Sequence, residues 1–207
     1  DIDMMDSPEL PTLTEALEHY QITFANFGLL IFHPVTTELE KIEDQTRTIM
    51  DSLVESGRNI IIIESNNDMG SENIRSVFSQ YDEHPGFRFF PSMRFEYFLT
   101  ILRNADFMIG NSSAGIREAP HFGVPTINLG SRQLNRVVSS MVDNVQIAGA
   151  DILAAIGATA GVPRVPEHNF GDGRSAERFK EIISRTALWD IPIQKQFKDI
   201  PTQRKES

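Results

Sequence analysis

The densest concentration of chemistry-bearing side chains lies between Asp106 and Arg136. An apolar run, Phe107-Met108-Ile109, stops at Gly110-Asn111 and is followed by Ser112, Ser113, Ala114 and Gly115. Small residues let backbone approach a ligand closely. A helix beginning here aims its first N–H groups and its positive dipole end beyond the strand, which suits a phosphate. No Lys follows as in a Walker loop, and the G-x-G-x-x-G spacing is absent. Ordinary strand-to-helix turns use the same residue types, so the turn alone leaves both readings open. Glu118 follows one helical turn later. A carboxylate there can accept both hydroxyls of a ribose, or sit solvated and stabilised by the helix dipole. Arg132 and Arg136 follow the next apolar run, placed either to neutralise a diphosphate or as plain surface arginines. His33 ends the apolar run 29–32. It suits donation to phosphate or acid/base work, with a satisfied structural histidine as the alternative. Phe89, Phe90, Phe95, Phe98 and Phe107 read as core, one of them able to flank a base. Glu64, Asp68, Glu72 and Asp82 lack metal-loop spacing, so neither a metal nor a cofactor is expected.

Strands and helices alternate around these residues. Apolar runs at 29–32, 59–64, 87–90, 106–110, 125–129 and 145–148 read as strands. The first is closed by His33-Pro34, because Pro34 biases His33 away from helix. Helical patterns fall at 12–20, 71–80, 95–104, 113–122, 151–160 and 175–187. A longer one is capped at Thr36 or Thr37, striped by Leu39, Ile42, Thr46, Ile49, Met50, Leu53 and Val54, and ended by Gly57. Residues 1–11, acidic with two prolines, read as a linker. Residues 163–173 read as a loop and those after 187 as a polar tail. Crossovers long enough for helices predict an α/β fold: a Rossmann-like parallel sheet with helices on both faces. Ligands then bind beyond the C-terminal ends of the strands, where His33, Glu64, Pro91 and the 110–115 turn all lie.

The 207 residues allow one large domain or two small ones. A hydrophobic fraction of 40% and a mean hydropathy of -0.24 fit a soluble protein. No apolar run approaches the roughly 20 residues needed to cross a bilayer, so no membrane partner is expected. Cysteine is absent, which removes disulfides. This fits a cytoplasmic protein. A net charge of -10 argues against nucleic acid, which needs a basic face, but not against a small phosphorylated ligand held by a few placed arginines. The first residue is Asp1 rather than Met, as expected for a fragment or a processed product.

Three motifs in order share one resemblance. Phe32-His33-Pro34-Val35-Thr36-Thr37-Glu38, Gly110-Asn111-Ser112-Ser113-Ala114-Gly115-Ile116-Arg117-Glu118 and Gly123-Val124-Pro125-Thr126-Ile127-Asn128-Leu129-Gly130-Ser131-Arg132-Gln133 resemble the UDP-N-acetylglucosamine 2-epimerase family. The Asn-Ser-Ser-x-Gly-Ile-x-Glu form and the Arg-Gln pair resemble its hydrolysing branch, which serves sialic-acid-type nonulosonate synthesis. The resemblance implies the C-terminal half of a GT-B two-domain fold. It implies a linker and partial helix over 1–27, a UDP-binding domain over 28–170, and a helix and tail over 171–207 packing toward an N-terminal domain. It also implies that Ser112, Ser113 and Gly115 hold the diphosphate and that Glu118 binds the ribose. Arg132 and Arg136 would lie by the phosphates, His33 on the phosphate or sugar side as the catalytic candidate, and Phe98 and Met93 by the uracil. Asn135 stands where that branch often has Gly, which loosens the role of Arg136. UDP-N-acetylglucosamine or a related UDP-sugar, UDP itself and a homo-oligomeric full-length enzyme are the implied partners. The carboxylates for C2 proton abstraction belong, in the family, to the N-terminal domain. A GT-B glycosyltransferase donor domain and a non-catalytic nucleotide-binding domain are the competing readings.

Overall fold

The computed structural model describes residues 2–190 and residue 194. It forms two compact units, 1–173 and 174–207. In the first, six strands build one sheet: β1 (Gly28–Ile31), β2 (Ile60–Ile63), β3 (Phe87–Phe90), β4 (Met108–Gly110), β5 (Thr126–Leu129) and β6 (Val142–Val145). Their order is β3-β2-β1-β4-β5-β6, and every pair is parallel. The sheet is therefore doubly wound, and its strand order reverses between β1 and β4.

Alternation along the strands divides the core into two layers. Leu29, Ile31, Ile61, Ile63 and Met108 face one layer, with Ala16 of α2 (Leu13–His19), Leu99 and Leu102 of α5 (Phe95–Asn104) and Ala119 of α6 (Ala114–His121). Leu30, Ile60, Ile62, Ile109 and Ile127 face the other. There they meet α3 (Ile42–Ser56), α4 (Ser71–Phe78) and α7 (Gly149–Ala158) through Ile49, Leu53, Ile74 and Ile152. Ile60, Ile61 and Ile62 are fully buried, and truncating one of them to Ala costs about 2–5 kcal/mol.

Local chemistry sets several boundaries. Thr12 and Glu15 form a reciprocal capping box at the start of α2. Gly57 ends α3 with a left-handed φ of 64°. Neither Thr36 nor Thr37 caps α3. A 3-10 turn, Leu39–Lys41, leads into it instead. Residues 1–11, expected as a linker, contain a helix, α1 (Ile2–Met5). Its i, i+3 pair Ile2 and Met5 is buried in the first layer. The sixth strand lies at 142–145 rather than 145–148, because Val142-Asp143-Asn144-Val145 is a half-exposed edge strand whose polar centre hides its pattern.

In the second unit the expected helix over 175–187 is two helices, α8 (Ser175–Ile183) and α9 (Thr186–Trp189). Ser184 hydrogen-bonds back to the Lys180 carbonyl and Arg185 is extended, with ψ 121°, which breaks the run. Phe179, Ile182 and Ile183 form an exposed apolar stripe on α8. The tail beyond residue 194 lies outside the described residues.

Candidate functional site

The reversal of strand order opens a crevice at the C-terminal edge of the sheet. Two chain exits meet there: His33 beyond β1, and Asn111-Ser112-Ser113 beyond β4. Gly110 makes the meeting possible. It has φ 130°, and a Cβ on it would lie 2.0 Å from the Ile31 carbonyl oxygen, so no other residue fits beside β1. The cavity above has a volume of about 360 Å³. His33, Met93, Phe98, Ser112, Ser113 and Arg132 line it, together with Glu64, Asn66 and Pro91. Six residues read from the sequence are thus brought together by elements far apart in the chain.

His33 is 8% exposed, and its Nδ1 is buried without a hydrogen-bond partner. Burial holds the imidazole below the ordinary histidine range, the neighbouring Arg132 guanidinium pushes the same way, and Asp68 opposes them. The ring is accordingly neutral at pH 7, with one N–H to give and one lone pair to offer. Arg132 donates from Nη1 to the Asn111 carbonyl at 3.1 Å. A carbonyl orients the guanidinium without neutralising it. Ser113 is the N-cap of α6, and its hydroxyl makes no capping bond. The Ser112 hydroxyl accepts the Ala114 N–H at 3.3 Å. Two hydroxyls, a helix N-terminus, an arginine and a neutral histidine around one cavity have the chemistry to hold an anion with several oxygens.

Three expected residues lie outside the cavity lining. Gly115 is buried in the first turn of α6, and a Cβ there would come within 2.7 Å of Thr126 Cγ2, so its smallness serves the packing of helix on strand. Glu118 is 7% exposed on the same helix, and burial raises its carboxyl above the ordinary carboxylate range, partly opposed by Arg117. Arg136 is exposed, next to Asn135 in a left-handed conformation with φ 63°. Sequence reasoning did not single out Asn111 and Gln133 as individual residues. Both are almost fully buried, and the Gln133 amide donates to the Asn111 carbonyl at 3.0 Å. The available signal was a polar residue directly after the glycine that ends β4.

A protein-family model described as UDP-N-acetylglucosamine 2-epimerase matches residues 1–184. The chain belongs to this family. A UDP-N-acetylglucosamine 2-epimerase from Neisseria meningitidis is 42% identical over 204 residues, covering 97% of this chain and 54% of the relative. A hydrolysing UDP-N,N'-diacetylbacillosamine 2-epimerase from Legionella pneumophila is 34% identical, covering 77% of this chain and 43% of the relative. Among solved structures, the Methanocaldococcus jannaschii UDP-GlcNAc 2-epimerase in complex with UDP-GlcNAc and UDP superposes with a TM-score of 0.66 at 17% identity, covering 87% of this chain and 50% of that one. The chain thus spans about half the length of these epimerases, and its fold is one Rossmann-like half of their GT-B arrangement.

Proposed function

We propose that this chain is the C-terminal, UDP-binding half of a hydrolysing UDP-N-acetylglucosamine 2-epimerase. The observation that carries the reading is the cavity at the switch point between β1 and β4, where His33, Arg132, Ser112 and Ser113 converge. In the full reaction a base takes the C2 proton, the C1–O bond breaks, UDP departs and a glycal remains. Water then adds across the glycal with C2 inverted, giving N-acetylmannosamine. The leaving diphosphate carries the developing charge, so the task of this half is electrostatic. Ser112, Ser113 and the start of α6 hold the diphosphate, Arg132 balances its charge, and His33 donates to the phosphate or the departing oxygen. Phe98 and Met93 flank the uracil, Glu118 takes the ribose hydroxyls, and Arg136 adds charge at the rim. The base at C2 comes from the other half. The exposed apolar stripe of α8 packs toward that half. The full-length protein is a cytoplasmic homo-oligomer that feeds sialic-acid-type synthesis, and a diacetamido sugar is the alternative substrate, as in the Legionella relative's name.

Calorimetry of this chain with UDP tests the reading. The expected result is saturable binding that UDP-N-acetylglucosamine competes for, with Glu118→Ala weakening UDP more than phosphate analogues that lack ribose. Absence of heat and of competition at millimolar UDP overturns it. Incubation with UDP-N-acetylglucosamine is expected to release no UDP from this half alone.

A further inference from the structure

Asn111 is 1% exposed and joins more of the site than any residue that lines it. Its side-chain Oδ1 accepts the His33 backbone N–H at 2.7 Å, and its Nδ2 donates to the His33 carbonyl at 2.8 Å. The amide therefore grips both sides of one residue 78 positions away. Its own N–H donates to the Ile31 carbonyl at 3.1 Å, in register with the β1–β4 ladder. Its carbonyl accepts from Arg132 Nη1 and from Gln133 Nε2. One residue thus ties together the exits of β1, β4 and β5.

The geometry points to Asn111 as the positioning residue of the UDP site: its side-chain amide sets the place of His33 and its carbonyl sets the guanidinium of Arg132, so both address one diphosphate. This rests on the UDP reading above. Two features of the arrangement argue for positioning beyond simple strand fastening. First, both residues held from the flanking chain exits, His33 and Arg132, line the cavity. Second, the Arg132 guanidinium is held by a neutral carbonyl, so its charge stays uncompensated until an anion arrives. Only an amide suits the place. An aspartate has the same shape, but it loses the Nδ2 donor and sets a carboxylate oxygen against the His33 carbonyl. A serine is too short to span both backbone groups.

The test uses this chain with UDP and, separately, uridine, which lacks the diphosphate. Asn111→Asp is expected to weaken UDP by about tenfold or more, the scale of one charge-assisted hydrogen bond, while uridine binding stays within about twofold. In a His33→Ala background Asn111→Ser, which adds no charge, is expected to cost only about twofold in UDP, because its effect is routed through His33. Equal losses for UDP and uridine, an unchanged UDP affinity, or full additivity with His33→Ala overturns the proposal. Should Asn111→Asp fail to fold, Asn111→Ser is read by the same three comparisons. A wild-type chain that binds no UDP removes the parent reading and this one together. A wild-type chain that binds, with an indifferent Asn111, removes this one alone.

Discussion

Two histidines of nearly equal burial sit at different places in the same unit. His33 is 8% exposed and His121 is 5% exposed. Beyond β1, the ring of His33 has a buried Nδ1 with no partner. At the far end of α6, the ring of His121 is paired on both sides. Its Nε2 lies 2.8 Å from the Asp6 carboxylate, and its Nδ1 lies 3.3 Å from Nδ1 of His168. A cavity of about 500 Å³ lies beside this chain of groups. A larger space therefore accompanies the histidine whose bonds are complete, and a smaller one the histidine whose bonds are not. The two cavities differ less in volume than in bonding: the His33 ring keeps a buried polar atom unpaired, at a cost of about 1–3 kcal/mol, and the His121 ring does not. His121 fastens the segment after α1 and the 163–173 loop onto α6. His33 makes no such side-chain bond through its Nδ1.

The contrast can be broken at several points. The largest effect is expected from Gly110→Ala, because the added Cβ would overlap the Ile31 carbonyl and force β1 and β4 apart. A loss of at least about 3 kcal/mol in chemical denaturation is expected, together with loss of the UDP site. Next comes the histidine pair itself. His121→Ala is expected to cost about 2–3 kcal/mol of stability, through a cavity and the lost Asp6 bond, with UDP affinity unchanged. His33→Ala is expected to do the reverse: about 1 kcal/mol or less of stability, and about tenfold or more in UDP affinity by calorimetry. Identical stability losses for the two would dissolve the distinction.

The smallest effect belongs to Glu118. Its folded carboxyl titrates above the ordinary range, so its contribution to stability is most favourable at low pH and is lost as pH rises through the folded value. Glu118→Gln removes that loss. A modestly higher melting temperature at pH 7 is expected, shrinking toward zero near pH 4, with weaker UDP binding throughout. The shift of His33 is opposite in kind. Its neutral form is favoured in the fold, so its contribution is present above the ordinary histidine range and is lost as pH falls through the depressed value.

Much of this was legible in the sequence, for identifiable reasons. Apolar runs that end at His33, Glu64 and Gly110 mark buried parallel strands, and their ends give the edge where the site lies. The Gly57 cap is a local signal that survives folding. What escaped depends on distance or on dilution. The acidic, proline-bearing start of the chain hid the pair Ile2 and Met5, whose burial needs the surface of the first layer to exist. The Asn111 clamp joins residues 78 apart, so no local pattern announces it. Gly115 has the spacing of a phosphate turn, yet Thr126 across the helix–strand contact already requires a glycine there.

Under the proposed function UDP engages His33 and not its similarly buried counterpart His121. Titrating UDP into the chain while following the histidine ring signals by NMR tests this directly. The His33 resonances are expected to move in a saturable way while those of His121 and His168 stay in place. Movement of His121 and His168 with His33 unmoved would contradict it.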